Sequence, residues 1–263
     1  MDTNNYLPEE PEKRRVIMVL SRQELNQLEI DAESDNSARE LLLNRQVSLL
    51  DDSAKDDSYL IKKLRNSGLL NPGTILIQSP YDPSDYAEAS NASYNFAQAK
   101  CINFTNLCGL LGAKKITVEH MEMKSSDGET KISGNVDTPV GKGNGEVESK
   151  VWGEMLKKIS IEEEYDPSEP NIEEARSYLM ENQWLSDPHM KGLIFKREKG
   201  IRIKKHKFVL SLTEESQKNL KVAFSLNLPQ NPSIPIVGKL NANLEQTKKE
   251  TFDFSLEINV EFW

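Results

Sequence analysis

Apolar and polar residues alternate most regularly in the last third of the chain. Single residues, most of them polar, separate the apolar positions in the stretches 220–228, 240–244 and 252–262. A period of two residues is typical of antiparallel strands with one buried and one solvated face. We therefore predict a long C-terminal β-meander, and an earlier strand over 208–212 with the same period.

The first seventy residues predict one buried strand and several short helices. The apolar run 16–20 has the length of a strand rather than of a helix. Ser21 with Glu24, and Ser37 with Glu40, match the capping box that begins a helix, because each side chain can satisfy a free backbone donor.

The middle of the chain predicts a strand, a long helix and another strand. Residues 74–78 form an apolar run after a turn signal, and the loop 79–84 follows them. We expect the helix to begin at Ser84 or Asp85 and to continue to about residue 111. The strand after the helix begins at 116.

These segments predict an α+β fold in which the meander packs against the long helix, beside an N-terminal portion of one strand and several helices. We expect a loose tail over 1–13, an α/β-like portion over 14–123 and a mobile Gly-rich hairpin over 124–150. A β-rich portion over 151–263 would complete the chain. A single domain over 14–263 is the alternative.

Charge and hydrophobicity narrow the classes of function. The net charge of −9 disfavours non-specific binding to nucleic acid, although a local basic patch could override it. The chain has no apolar run long enough for a membrane helix and no secretory signal, so we expect a soluble cytoplasmic protein. Cys101 and Cys108 are then expected to be reduced core residues.

Two residues of the loop 79–84 are candidate ligand-binding residues. We expect this loop to join a strand to a helix, which is where open α/β sheets commonly bind ligands. Asp82, Ser84 and the start of the helix could hold an anion or a metal-bound group. The alternative is that Asp82 and Ser84 are only turn and capping residues.

A basic segment is the candidate partner-binding surface of this acidic chain. On an edge strand it could contact phosphates or an acidic partner, but edge lysines also protect sheets from aggregation. No aromatic residue is interleaved to stack on bases. The candidate residues are Lys196, Arg197, Arg202, Lys204, Lys205 and Lys207.

No motif for catalysis, metal binding or cofactor binding is evident in the sequence. The three histidines form no pair with the spacing of metal ligands on a helix. A thiol nucleophile would need Cys101 or Cys108 to be exposed beside a base such as His120. We therefore expect no cofactor, no metal and no catalytic residue.

The sequence favours a non-enzymatic protein-interaction module, acting as a component of a larger assembly with another protein or with a second copy of the chain. One alternative is a membrane-active protein that rearranges amphipathic β-hairpins after a conformational change, since barrel strands need the same alternation. The other is a protein that binds a small ligand or phosphate at the loop 79–84.

Overall fold

The computed structural model describes most of the chain, in two compact units. The first unit comprises Met1–Ser93 and Thr213–Thr251, and the second comprises Tyr94–Leu212 and Phe252–Trp263. The described residues are 7–54, 58–125, 130–135, 162–182, 184–185, 187–211, 214–226, 228, 240–242, 244–245 and 252–263.

Helices and strands are interspersed along the described residues. In chain order they are β1 (Val16–Leu20), α1 (Arg22–Asp31), α2 (Asn36–Leu43), β2 (Val47–Asp51), α3 (Tyr59–Asn66), β3 (Ile75–Gln78), β4 (Tyr86–Glu88), α4 (Ala92–Leu110), β5 (Ala113–Ser125), β6 (Thr130–Asn135), β7 (Glu162–Glu164), α5 (Ile172–Glu181), α6 (Pro188–Glu198), β8 (Lys205–Ser211), α7 (Glu214–Phe224) and β9 (Phe252–Phe262). Short 3₁₀ turns at Pro11–Arg14 and Ala89–Asn91 precede β1 and α4.

The first unit contains a mixed sheet with the strand order β2-β1-β3-β4. β1 is antiparallel to β3. It is parallel to β2, and α1 and α2 form the crossover connection that a parallel pair requires. Ile17 and Val19 of β1 form a core cluster with Leu50 of β2 and with Ile61 and Leu64 of α3. All five side chains are almost fully buried, so apolar burial holds this sheet and α3 together.

Two predicted helix starts have different outcomes. The capping box of Ser21 and Glu24 is confirmed at the start of α1. The one predicted at Ser37 is wrong, since Asp35 caps α2 by accepting a hydrogen bond from the Ser37 amide at 2.8 Å. The helix ends at Leu43, and β2 begins at Val47.

The second unit contains an antiparallel sheet in the order β6-β5-β9-β8, with β7 also paired to β5. The predicted α+β class and the antiparallel C-terminal sheet are confirmed. The helix α4 packs against this sheet, where the rings of Phe104 and Phe208 meet edge to face at 4.8 Å between centroids. Both rings are buried.

Two stretches predicted as strands of the meander are helical instead. Residues 214–224 form α7, and the described residues 240–242 are also helical. Asn219 and Ala223 are buried as well as Leu220 and Val222. The four buried positions together have the spacing of a helix face rather than of a strand. Asn219 is a buried polar residue, and it donates a hydrogen bond to the Gln78 carbonyl at 3.0 Å.

The long helix begins later than predicted, so the start at Ser84 or Asp85 is wrong. The loop 79–84 leads into β4, which pairs with β3 in an antiparallel hairpin. Buried Tyr86 on β4 donates a hydrogen bond to the Arg14 carbonyl at 2.8 Å, and this bond ties the hairpin to the start of the unit. α4 begins at Ala92.

The Gly-rich segment predicted over 124–150 lies outside the described residues except at 124–125 and 130–135. These described residues belong to the paired strands β5 and β6. The remaining residues up to 161 are also outside the described residues, and β7 follows them at Glu162–Glu164. Residues 1–6 of the predicted tail are likewise outside.

A matched pair of glycine substitutions tests the packing behind α4. Gly112 and Gly200 both have positive φ, at 76° and 68°. An added Cβ would lie 2.8 Å from the Ser168 carbonyl oxygen at Gly112, but would meet no atom within 4 Å at Gly200. Gly200→Ala should cost roughly 1–2 kcal/mol of the free energy of unfolding through backbone strain alone. Gly112→Ala should cost clearly more in urea titrations, and equal losses would contradict this packing.

Candidate interaction surface

β8 forms one edge of the antiparallel sheet in the second unit. Its inner side pairs with β9 from Lys205 to Ser211, and no described strand pairs with its other side. An edge strand presents a row of unpaired backbone donors and acceptors, which can pair with another chain. The structure thus places the second half of the predicted basic segment on a free sheet edge.

The register of β8 against β9 decides which backbone groups face outward. The Phe262 amide donates to the Lys204 carbonyl at 3.0 Å, and Lys205 lies opposite Glu261 in the same register. Hydrogen-bonded pairs alternate with non-bonded pairs in an antiparallel ladder. The even-numbered residues of β8 therefore bond to β9. Lys205, Lys207 and Val209 direct their N–H and C=O groups away from it.

Side chains on the outer face of this edge are mostly matched in charge. Lys207 forms an ion pair with Glu257 of β9, and Lys205 lies 4.0 Å from Glu261. Val209 is 52% exposed and adds an apolar position to the same row. Two of the predicted partner-binding lysines thus already have carboxylates within the sheet, which lowers their value for an acidic partner.

Arg197 stabilises the second unit from within. It lies on α6, and its Nε donates to the Leu111 carbonyl at 3.1 Å, beyond the last turn of α4. Its guanidinium also stands 4.9 Å above the ring centroid of Phe262, and burial lowers its pKa. A cation at a helix C-terminus interacts favourably with the helix dipole. The contacts of Arg197 are therefore those of a capping residue.

The other three candidate cations are not paired in this way. Lys196 lies on α6 rather than on a strand, while Arg202 and Lys204 lie in the exposed connection to β8. None of the three forms an ion pair with a carboxylate in the part of the chain that the structure describes. The charges of Arg202 and Lys204, directly before β8, remain available to a partner at the β8 edge.

Asp82 and Ser84 form a turn rather than converge on an open site. Asp82 Oδ1 accepts hydrogen bonds from the Ser84 amide at 2.8 Å and from its hydroxyl at 2.7 Å. Lys63 approaches Asp82 at 3.5 Å and Asp85 at 3.3 Å. Burial alone would raise the pKa of Asp82, but the Ser84 hydrogen bonds and the Lys63 charge lower it. These contacts are those of a turn with a satisfied carboxylate.

Neither cysteine has the surroundings of a nucleophile. Both side chains are buried on α4. Burial raises the pKa of Cys101 to about 12, and it raises that of Cys108 well above its usual value. A nucleophilic thiol needs the opposite shift and access to solvent. Both cysteines contribute to the core.

A polar cluster that was not predicted from the sequence lies at the carboxyl ends of the parallel strands β1 and β2. Asp51 ends β2 with its side chain buried, and its Oδ2 lies 2.7 Å from Arg22 Nε at the start of α1. Its Oδ1 accepts hydrogen bonds from the amide and the hydroxyl of Ser53. The Asp52 amide donates to the Leu20 carbonyl at 2.9 Å. Ligands often bind at this edge of a parallel sheet.

The two carboxyl groups of this cluster have opposite pKa shifts. Burial would raise the pKa of Asp51, but the Ser53 hydrogen bonds and the Arg22 charge lower it. Burial and the negative charge of Asp51 raise the pKa of Asp52. A polar residue pair directly after the mostly apolar segment 47–50 was the available signal. This polar pair indicates a candidate site only because the segment before it is a strand parallel to β1.

A small cavity in the first unit is lined by none of the residues around Asp51 or Asp82. It has a volume of about 60 Å³ and is lined by Glu40, Leu41, Asn44, Ser225 and Leu226. Sites for small molecules usually measure about 300–1,000 Å³. This cavity has room for a few water molecules but not for a substrate or cofactor of that size.

A metal-binding cluster and a membrane-spanning helix are both absent from the described ranges. Among these residues, no group of three or more His, Cys, Asp or Glu side chains is arranged to hold a metal ion. None of the described helices combines the length and hydrophobicity needed to cross a bilayer.

Substitution of the two aspartates tests their opposite environments. Asp51→Asn should lower the free energy of unfolding at pH 7 by about 1–3 kcal/mol, because it weakens buried charge-assisted hydrogen bonds. Asp52→Asn should be neutral or stabilising, because it removes a charge that burial and Asp51 disfavour. Urea titration of both variants measures this, and the reverse order would contradict the assignment.

The pH dependence of stability follows from the same shifts. The contribution of Asp51 should be complete above the ordinary carboxyl pKa of about 3.9 and lost as the pH falls through its lower folded value. Asp51→Asn should therefore flatten the acid limb of the stability profile.

Comparison of the chain with known protein families, with characterised proteins and with solved structures finds no match. The function is therefore inferred from the geometry of the chain itself.

Proposed function

We propose that the chain is a protein-interaction module that binds an extended, acidic segment of another protein along the free edge of β8. The observation that carries this proposal is the outward direction of the backbone groups of Lys205, Lys207 and Val209. An added strand would satisfy these donors and acceptors, which is how sheet edges bind extended peptides.

Charge at this edge favours an acidic partner. Lys196, Arg202 and Lys204 carry charges that no described carboxylate neutralises, and Arg202 and Lys204 lie directly before the start of β8. A second copy of the chain would bring two basic edges together, and like charges directly opposite each other are destabilising. Electrostatic complementarity of this kind raises association rates and selects the partner.

Val209 gives the partner a defined apolar contact. Its side chain is half exposed, and its own backbone N–H and C=O groups point away from β9. Since side chains alternate along an added strand, every second residue of the partner would lie on the face of Val209, Lys205 and Lys207. An alternating pattern of acidic and β-branched residues is the composition that this edge fits.

A synthetic peptide tests the proposal without a known partner. We expect a labelled ten-residue peptide of alternating glutamate and threonine to bind in fluorescence anisotropy, and one of alternating lysine and threonine not to bind. Val209→Pro removes one outward N–H while leaving the bonds of His206 and Phe208 to β9 in place. This variant should bind the acidic peptide about fivefold more weakly, since one hydrogen bond is lost.

Val209→Thr is the matched control, because it keeps the backbone N–H and the β-branched shape. It should bind like the unmodified chain. Equal binding by Val209→Pro, no binding of the acidic peptide, or no preference over the basic peptide would each contradict docking at this edge.

A further inference from the structure

Charge is distributed unevenly along the β8 edge. The two lysines of its outer face each have a carboxylate of β9 beside them, with Lys205 near Glu261 and Lys207 paired to Glu257. Val209, further along the strand, is uncharged and half exposed. The strand itself therefore offers a partner little positive charge that β9 has not already balanced.

Two cations without a carboxylate partner lie just before the start of β8. Arg202 and Lys204 are exposed, and neither pairs with a carboxylate among the described residues. The Lys204 carbonyl accepts the Phe262 amide at 3.0 Å, so the backbone at Lys204 continues the ladder between β8 and β9. A strand added to the edge of β8 would thus pass beside Lys204.

The connection from α6 to β8 leaves space around these two cations. Ile201 is 49% exposed, and a Cβ atom added at Gly200 would meet no atom within 4 Å. Acidic side chains of a partner can therefore reach Arg202 and Lys204 without displacing a described element of the second unit.

The sheet of the second unit favours one direction for an added strand. Its described pairs, β5 with β6, β7 and β9, and β8 with β9, are all antiparallel. Antiparallel pairing is slightly more stable per residue than parallel pairing, and purely antiparallel sheets are over-represented. A strand that runs antiparallel to β8 has its C-terminal end beside the start of β8, where Arg202 and Lys204 lie.

We infer that the partner segment runs antiparallel to β8 and carries its acidic residues at its C-terminal end, beside Arg202 and Lys204. This inference rests on the strand docking proposed above, and it adds the direction and the charge order of the docked strand. In this arrangement the residue four positions before the one opposite Lys205 lies opposite Val209, and β-branched residues suit that part of the segment.

Two peptides of the same composition test the charge order. One reads Thr-Val-Thr-Val-Thr-Val-Thr-Glu-Thr-Glu, the other has the reversed sequence, and both have blocked ends so that only the glutamates are charged. In fluorescence anisotropy with the full chain, the peptide with C-terminal glutamates is expected to bind about fivefold more tightly, the combined effect of two exposed ion pairs. This preference should shrink as salt is added, because exposed ion pairs are screened.

Substitution of the two cations tests where the preference arises. Arg202→Gln combined with Lys204→Gln should remove it, so that the two peptides bind equally. Lys191→Gln combined with Lys199→Gln is the matched control, because it removes the same charge from exposed positions on α6 and at its C-terminal cap. The control variant should keep the preference of the unmodified chain.

A nitroxide label at the N-terminus of the preferred peptide tests the direction independently of affinity. In nuclear magnetic resonance spectra of the full chain, the label should broaden the amide signals of Val209 and Ser211 more than that of Lys205, because the start of an antiparallel strand lies beside the end of β8. Stronger broadening at Lys205 would show a parallel strand and would overturn the inference.

The charge order is also overturned if the two peptides bind equally to the unmodified chain, or if the α6 control loses the preference as fully as the variant of Arg202 and Lys204 does. Strand docking itself would stand in both cases, because the peptides still bind. If neither peptide binds, strand docking fails and this inference fails with it, so the two failures give different results.

Discussion

The pairing of β9 with its two neighbours is the interaction on which the second unit depends. β9 joins β5 on one side and β8 on the other, although β8 and β9 are separated in sequence by a segment of the first unit. Its register places Glu257 and Glu261 beside the lysines of β8. The same register also determines which backbone groups of β8 are left at the free edge.

This arrangement separates the cations of the basic segment into those with partners inside the second unit and those without a carboxylate partner among the described residues. Arg197 caps α4, and Lys205 and Lys207 pair across the sheet, so half of the segment contributes to the fold. The remaining cations are Lys196 on α6 and Arg202 and Lys204 in the connection to β8. Partner docking is assigned to charges that the described fold leaves without a counter-charge.

Local signals in the sequence predicted much of the fold. The capping residue Ser21 marks a real helix start, and the alternation over 252–262 marks β9. The same alternation failed over 220–228, because buried Asn219 is polar and did not count toward a helical pattern. Local sequence patterns did not predict the pairing of strands. The loop 79–84 is a hairpin turn because β3 pairs with β4, and no local pattern indicated that pairing.

The sequence predicted which basic residues belong to the candidate surface, but not how they are arranged. The basic residues were identifiable in the sequence, whereas their division into paired and unpaired cations depends on the partner strand β9, some fifty residues later. The polar pair at Asp51 and Asp52 was missed because the parallel pairing of β1 and β2 was not predicted.

Amide hydrogen exchange along β8 tests the central claim most directly, because it reports each backbone N–H separately. The register predicts protected amides at His206, Phe208 and Leu210, and rapid exchange at Lys205, Lys207 and Val209. On addition of the acidic peptide, exchange should slow at the second set only. Protection at all six positions in the free chain would show that the edge is already paired, and would contradict the account.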